Sequence, residues 1–540
     1  MHPMAYGATK NKMKKENLMK KLLSLLLALC MMLTLLAGCG GNNANNSGSG
    51  NDKTPSNSSD TDGDSGKRDD VTVWGNMMID NYNPIDWQYE AQNNLFESVY
   101  STLVKTQYKD DGSVELIGDL ADSWETEEDG AVWVFHLNEN AKFTNGEPVT
   151  AEDVKFSFEA YAASSYGSPR VSLVKSVEAR DEHTVAINIG TYSARAPWCW
   201  HQVAIVEADA YQADKDAYIK EQIGSGPYKL ESLDEASGNY TLVRNDDYYG
   251  TPAIIKTVNV RVVADPSNAV IALQNGELDY MYISGTMYDL LSGDENIALK
   301  QQPSGYGNWL LLNSNVAPLD NKLLRQAIAY AVDYEAQWNL AFGGRMNEEN
   351  TSVFFASVTD PLPEGVAKYT YDPEKAKELI AQSGLSTPID IGDFYGGSGG
   401  RAELIQQNLA DVGIICQPVS LENFAMLEAY QKGNYSIGMM GGVGGGYLTA
   451  SDMLSSMYGT GSAYNLPHYS NPELDKMIAE LDATQDKGEY DAKLKEILEL
   501  IVEEVPGVCT GKGAFYSAYN KDLKVPTCNT GLVRFAELSW

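Results

Sequence analysis

Short runs of alternating apolar and polar residues are interleaved along the chain with stretches whose apolar residues recur at helical spacing. Val71-Thr-Val-Trp74, Val132-Trp-Val-Phe-His-Leu137, Asn259 to Val263, Leu278 to Ile283 and Asn308 to Asn313 read as strands. Tyr89 to Leu103, Pro266 to Asn275, Asn321 to Val332 and the stretch from Asp372-Pro-Glu-Lys375 to Gly384 read as helices, with Gly276 and Gly384 as stop signals. Thr150-Ala-Glu-Asp153 opens another helix with a capping arrangement that sets acidic groups at its positive end. Ile389 to Tyr395, Arg401 to Val412 and Ile414 to Gln417 make a strand-helix-strand unit. Such alternation predicts mixed α/β lobes with partly parallel sheets. The roughly 470 residues from Val71 onward exceed what one core can hold, so two or three lobes with a cleft between them are expected.

A different pattern precedes Val71. Lys14, Lys15, Lys20 and Lys21 lie ahead of an uncharged apolar stretch from Leu22 to Leu36, which is too short to span a bilayer comfortably. Leu36-Ala37-Gly38-Cys39 follows, which makes residues 1–38 a cleavable leader. Leu-Ala-Gly-Cys resembles the bacterial lipobox, which implies that Cys39 becomes the first mature residue and carries acyl chains. Several chains hold to a membrane far more firmly than one. Gly40 to Asp70 has almost no apolar residue and is expected to be a tether.

Charge narrows the partners. Removing the six Lys and one Glu of residues 1–38 leaves 34 basic and 73 acidic side chains, a net charge near −39. Such a field disfavours nucleic acid and anionic headgroups and keeps the chain soluble and monomeric. Past Cys30 and Cys39, the remaining Cys199, Cys416, Cys509 and Cys528 are too few for a disulfide framework. If one bridge forms, Cys509 and Cys528 are the expected pair, at a gain of about 3 kcal/mol in the chain-entropy picture. His136, His183, His201 and His468 are scattered without metal-ligand spacing, so neither a metal site nor a cofactor is expected.

Several separated segments carry a family resemblance. They are Gly118-Asp-Leu-Ala-Asp-Ser-Trp124 with Phe143-Thr-Asn-Gly-Glu-Pro-Val-Thr-Ala-Glu-Asp-Val154; Gly224-Ser-Gly-Pro-Tyr228; Asn275-Gly-Glu-Leu-Asp279; and Arg325-Gln-Ala-Ile-Ala-Tyr-Ala-Val-Asp333. In their order and distances the chain resembles the large solute-binding proteins of ABC importers, family 5, which include dipeptide, oligopeptide and nickel binders. The resemblance implies a two-lobed periplasmic-binding-protein-like fold of type II with an extra small domain and a hinged cleft. Residues 71–103, 221–303 and 507–540 would form lobe 1, 104–220 the extra domain and 304–506 lobe 2. It also implies a non-enzymatic protein on the outer face of the bacterial membrane, delivering a peptide or similar solute to a permease. Most of these motifs read as scaffold: Gly224-Ser-Gly-Pro227 suits a sharp crossing between lobes, and Arg325 and Asp333 bracket a helix with a core-facing side.

Two glycine-rich stretches need separate treatment. Gly396-Gly-Ser398-Gly-Gly400 satisfies the nucleophile-elbow pattern, with Asp452 and His468 downstream, but no oxyanion segment precedes it, so an esterase using Ser398 is a distant alternative. Gly441-Gly-Val-Gly-Gly-Gly446 lies where the resemblance implies an Asp for a peptide's α-amino group; that position falls near Gly446. This leaves Asp452 as a substitute acid, or a neutral oligosaccharide or metal chelate as the alternative ligand. Candidate ligand contacts are Asn76, Met77, Tyr82, Asn83, Tyr280, Tyr282, Trp309, Gly445, Gly446 and Tyr447, with Trp198 and Trp200 from the extra domain. Arg345 and Arg401 are candidates for meeting a carboxylate. A receptor working without a permease, such as an adhesin, is the remaining binding-class alternative.

Overall fold

The computed structural model describes residues 68–540 except 80, 88–89, 110–113, 343–359, 361, 397–399, 422, 444–448 and 528–532. Cys39, Arg345, Ser398, Gly445, Gly446, Tyr447 and Cys528 lie outside the described residues.

Ten strands form one mixed sheet: β1 (Asp70–Gly75), β2 (Tyr228–Asp234), β3 (Asn239–Arg244), β4 (Thr257–Val262), β5 (Tyr280–Ile283), β6 (Ile297–Leu312), β7 (Ile389–Tyr395), β8 (Ile414–Val419), β9 (Ile437–Val443) and β10 (Gly507–Asn520). Their order is β8-β7-β9-β6-β10-β5-β1-β4-β3-β2. In lobe 1, β1 runs parallel to β4 and β5, with Val71 opposite Val258 and Val73 opposite Tyr280. In lobe 2, β7 runs parallel to β8 and β9. The antiparallel pair β6 and β10 passes through both lobes, from Ile297 opposite Asn520 to Leu311 opposite Gly507. Its register shifts between Pro303 and Gly307 and again between Asn308 and Trp309, so the crossing between the sheet's two parallel sets is irregular.

The alternation of strand residues explains why lobe 1 is covered on both faces. Val71, Val73 and Tyr280 enter one buried cluster, while Met281 and the adjoining Trp74 pack with Leu273 and Leu278 in another. The first of these clusters continues into the extra domain through Phe135, Phe158 and Trp200. There a four-stranded antiparallel sheet (Ala121–Glu127, Val132–Leu137, Thr184–Asn188, Ser176–Ala179) carries the alternation seen in the sequence. Trp200 is fully buried, edge-on to Trp133, Phe135 and Phe158 at 6.3, 5.8 and 5.8 Å. Lobe 2 has its own cluster, from Trp309 to Cys509.

Several motifs acquire structural duties. Asp279 is 1% exposed and takes the Arg68 guanidinium on both oxygens, at 2.7 and 2.9 Å, together with the Thr72 N–H at 2.8 Å. Thr150 and Asp153 form the expected capping box. Gly224 and Gly226 lie where the chain returns from the extra domain to lobe 1, and their value is close approach: a Cβ on Gly224 would sit 2.0 Å from the Val99 carbonyl oxygen. Neither has a positive φ, so the backbone freedom expected of this turn is not what selects glycine here.

His201 closes the loop after Trp200 and donates from Nδ1 to the Trp198 carbonyl at 2.8 Å. Burial, with Arg534 and Arg170 nearby, pushes its pKa down to about 4. Folding therefore disfavours the protonated ring, and stability is lost as pH falls from about 6.5 through 4. We expect the wild type to lose about 2–3 kcal/mol more than His201→Gln between pH 7 and pH 4. Urea midpoints at the two pH values measure this, and equal losses in both proteins would contradict it.

Candidate functional site

The directions of the strands locate the cleft. In lobe 2 the carboxyl ends of β7 and β9, Tyr395 and Val443, reach the edge where Gly307 of β6 pairs with Val443. In lobe 1 the carboxyl end of β5 lies opposite Tyr516 of β10, with Tyr280 back at Tyr519. Both parallel sets therefore aim their carboxyl ends at the β6–β10 crossing, the edge where open α/β sheets bind ligands. Asn76 and Met77 follow β1 directly onto this edge, and both are exposed.

Arg401 stands at the same edge in lobe 2. The loop after β7 passes Gly400, in the left-handed region at φ 77°, and starts the helix Arg401–Asp411. The guanidinium then reaches back to the crossing: Nη1 donates to Asn308 Oδ1 at 3.2 Å, Nη2 to Thr510 Oγ1 at 3.4 Å and Nε to Gln337 Oε1 at 3.4 Å. Gln337 is fully buried and returns a bond from Nε2 to the Arg401 carbonyl at 3.0 Å. Trp338 Nε1 donates to the Thr510 carbonyl, and Thr510 Oγ1 donates to the Asn308 carbonyl at 3.3 Å. Gly441 leaves room for Asn308, whose Oδ1 would lie 2.9 Å from any Cβ there.

Every partner of the Arg401 guanidinium among the described residues is neutral. Among the described residues no carboxylate lies within 4 Å of its guanidinium, and burial alone depresses its pKa. A half-buried cation held, among the described residues, by amides and a hydroxyl is under-compensated, and an incoming carboxylate would complete it.

The other expected contacts distribute differently. Asn83 is buried, and its Oδ1 accepts from the Ile85 N–H and the Tyr211 hydroxyl, both at 3.2 Å. Tyr82 is half-buried against the lobe 1 cluster. Tyr280 is 1% exposed, edge-on to Tyr282 at 5.3 Å and stacked on Tyr519 at 6.3 Å, so it serves the core. The half-buried Tyr282 accepts from Val533 N at 2.6 Å. Trp309 is buried in lobe 2 against Tyr458, at 5.7 Å. Trp200 belongs to the extra domain's interior, while Trp198 is half-buried. Asp452, the substitute acid, is taken by Arg195 of the extra domain at 3.6 Å. His468 Nε2 sits 2.7 Å from the Tyr430 carbonyl, away from Asp452, so those two residues form no relay. Cys509 is buried in the lobe 2 core. Asn308, Gln337 and Thr510 were not singled out by the sequence; pairing of β6 with β10 brings Asn308 and Thr510 together, and the helix Tyr334–Phe342 adds Gln337.

A family profile for bacterial extracellular solute-binding proteins, family 5, matches residues 115–465, and the chain belongs to that family. It is therefore a solute-binding protein of the two-lobed, mixed α/β kind. The probable D,D-dipeptide-binding periplasmic protein DdpA of Escherichia coli is 28% identical over 480 residues, covering 82% of this chain and 88% of that protein. The glutathione-binding protein GsiB of Shigella flexneri is 25% identical, covering 82% and 89%. Among solved structures, the ABC transporter substrate-binding protein CtaP of Listeria monocytogenes superposes with a TM-score of 0.79 at 22% identity, over 88% of this chain and 99% of its own. The Helicobacter pylori DppA complex with the peptide STSA gives 0.72 at 22% identity, over 87% and 98%. No described helix is long and apolar enough to cross a membrane.

Proposed function

We propose that this protein is the lipid-anchored receptor of an ABC importer, capturing a short peptide or a related carboxylate between its lobes and delivering it to the permease. The observation that carries the ligand class is Arg401, a half-buried guanidinium at the cleft edge with no anionic partner among the described residues. The family and relatives named for dipeptides and glutathione support the transport role. Leu36-Ala37-Gly38-Cys39 supports the anchor on the outer face of the membrane. Closure of the lobes over the ligand is the state the permease would recognise, and the ligand selects it only by binding that state better.

The test is a thermal-shift series on the mature protein with peptides as free acids, the same peptides as C-terminal amides, neutral oligosaccharides and nickel chelates. A free acid at a hundredfold over its Kd should add about 2.7 kcal/mol, and its amide much less. A response to oligosaccharides or chelates that survives Arg401→Met, with none to free acids, would sink the carboxylate reading. The anchor is tested separately: Cys39→Ser should abolish incorporation of labelled fatty acid.

A further inference from the structure

The extra domain meets lobe 2 along a polar seam that shares no residue with the Arg401 cluster. Ser193 Oγ donates to Asp482 Oδ2 and the Ala194 N–H to the Asp482 backbone carbonyl, each at 2.7 Å, and Ser451 Oγ donates to Asp482 Oδ1 at 3.0 Å. Arg195 lies between Asp452 and Asp482, at 3.6 and 3.5 Å. The contact to Asp482 is made by its buried Nε, and the contact to Asp452 by Nη1. Desolvation, countered by Arg195 and reinforced by Asp482, holds the Asp452 carboxyl above its ordinary pKa.

Over this floor opens a groove of about 840 Å³, within the range of small-molecule sites. One wall is extra-domain residues 172–175 and 189–195; the other is the helix Ala450–Tyr458, the turn after it and the helix Pro472–Asp482. Thr191 on the first wall and Ser455 on the second carry hydroxyls that no protein group engages among the described residues. Tyr192 adds a half-buried ring, packed so closely on Gly130 that a Cβ there would come within 2.7 Å.

These features select a chemistry. The lining carries Arg195 and Lys175 against Asp475 and Asp482, with Asp452 beneath, so an anion gains nothing here. An apolar molecule would strip water from the hydroxyls without replacing its hydrogen bonds. A neutral polyhydroxylated molecule can offer donors and acceptors to Thr191 and Ser455 and a C–H face to Tyr192. We infer that this groove is a second binding site, for a neutral saccharide that bridges the extra domain and lobe 2.

Calorimetric titration of the mature protein with trehalose and with maltotriose tests this. Binding of at least one sugar at millimolar concentration is expected, unchanged in Arg401→Met and weakened about tenfold or more by Thr191→Val combined with Ser455→Ala, each lost hydrogen bond being worth about 1 kcal/mol. Both positions are at least partly exposed, and circular dichroism and the urea midpoint of the double variant confirm that it folds. No heat from either sugar, equal affinity in the double variant, or loss of sugar binding in Arg401→Met would each overturn the inference. Because the acidic-ligand site is removed in Arg401→Met, failure here is distinguishable from failure of the carboxylate reading.

Discussion

Replacing Arg401 by Met is expected to weaken binding of a free-acid ligand by about 2–5 kcal/mol, roughly thirtyfold or more in Kd, while leaving the protein about as stable as before. Two opposing terms fix the second half of this expectation. Asn308, Gln337 and Thr510 each lose a donor at 3.2 to 3.4 Å, which costs something. Against that, a half-buried, desolvated guanidinium without an anion among the described residues is itself a burden in the unliganded protein, and the Met side chain removes it. An ordinary structural arginine would show the reverse: lost stability and little change in ligand preference. Calorimetry with a peptide acid and its amide, together with urea unfolding, separates the cases. If Arg401→Met binds the acid as tightly as wild type does, the site assignment is wrong.

Arg325 supplies that contrasting case. It is 3% exposed, and its guanidinium is spent on backbone carbonyls: Nε to Glu504 and Val505 at 3.0 and 3.2 Å, Nη1 to Leu319 and Asp320 at 2.9 and 3.2 Å, and Nη2 to Glu504 at 2.6 Å. The Glu504 carboxylate stands 3.4 Å away. The side chain thus joins the helix Lys322–Ala331 to the end of the helix Lys487–Glu504, where Val505 is held in the left-handed region at φ 47°. Arg325→Ala would leave these carbonyls without donors and a β-branched residue in a costly conformation without its clamp. A loss of about 3–5 kcal/mol is expected in urea unfolding, and Arg325→Lys should recover little, because one ammonium cannot span carbonyls on two sides. A loss below about 1 kcal/mol for Arg325→Ala would refute this account.

How far the chain announced these features depends on how local their causes are. The helix Pro373–Ser383 was legible at both ends, because Asp372 caps it through the Lys375 N–H and Gly384 ends it at φ 76°. Residues 389–419 were equally plain, since each element carries its own period. The strand β6 was visible only from Asn308 onward. Its first part contains Pro303 and two glycines, Gly305 and Gly307, and becomes a strand through pairing with β10, two hundred residues later. Tertiary partnership also reassigned single residues. Trp309 and Tyr280 look like cleft aromatics because strand ends near a cleft and strand middles in a core have the same composition; only the sheet order puts both inside. Asp452 looked available because Arg195, which engages it, comes from the extra domain. The glycines near 446, where the resemblance implies an acid, lie outside the described residues, so the amino-group question rests with ligand titration.

The placement of β10 has a consequence for how the chain is made. It is contributed by residues 507–520, yet it lies in the interior of the sheet, with β6 on one side and β5 on the other. Without it the sheet falls into a block of four strands and a block of five that share no hydrogen-bonded neighbour. Neither block can be joined to the other until β10, made about two hundred residues after β6, emerges from the ribosome, and pairings this distant in sequence form slowly. Synthesis and final folding are thereby separated in time.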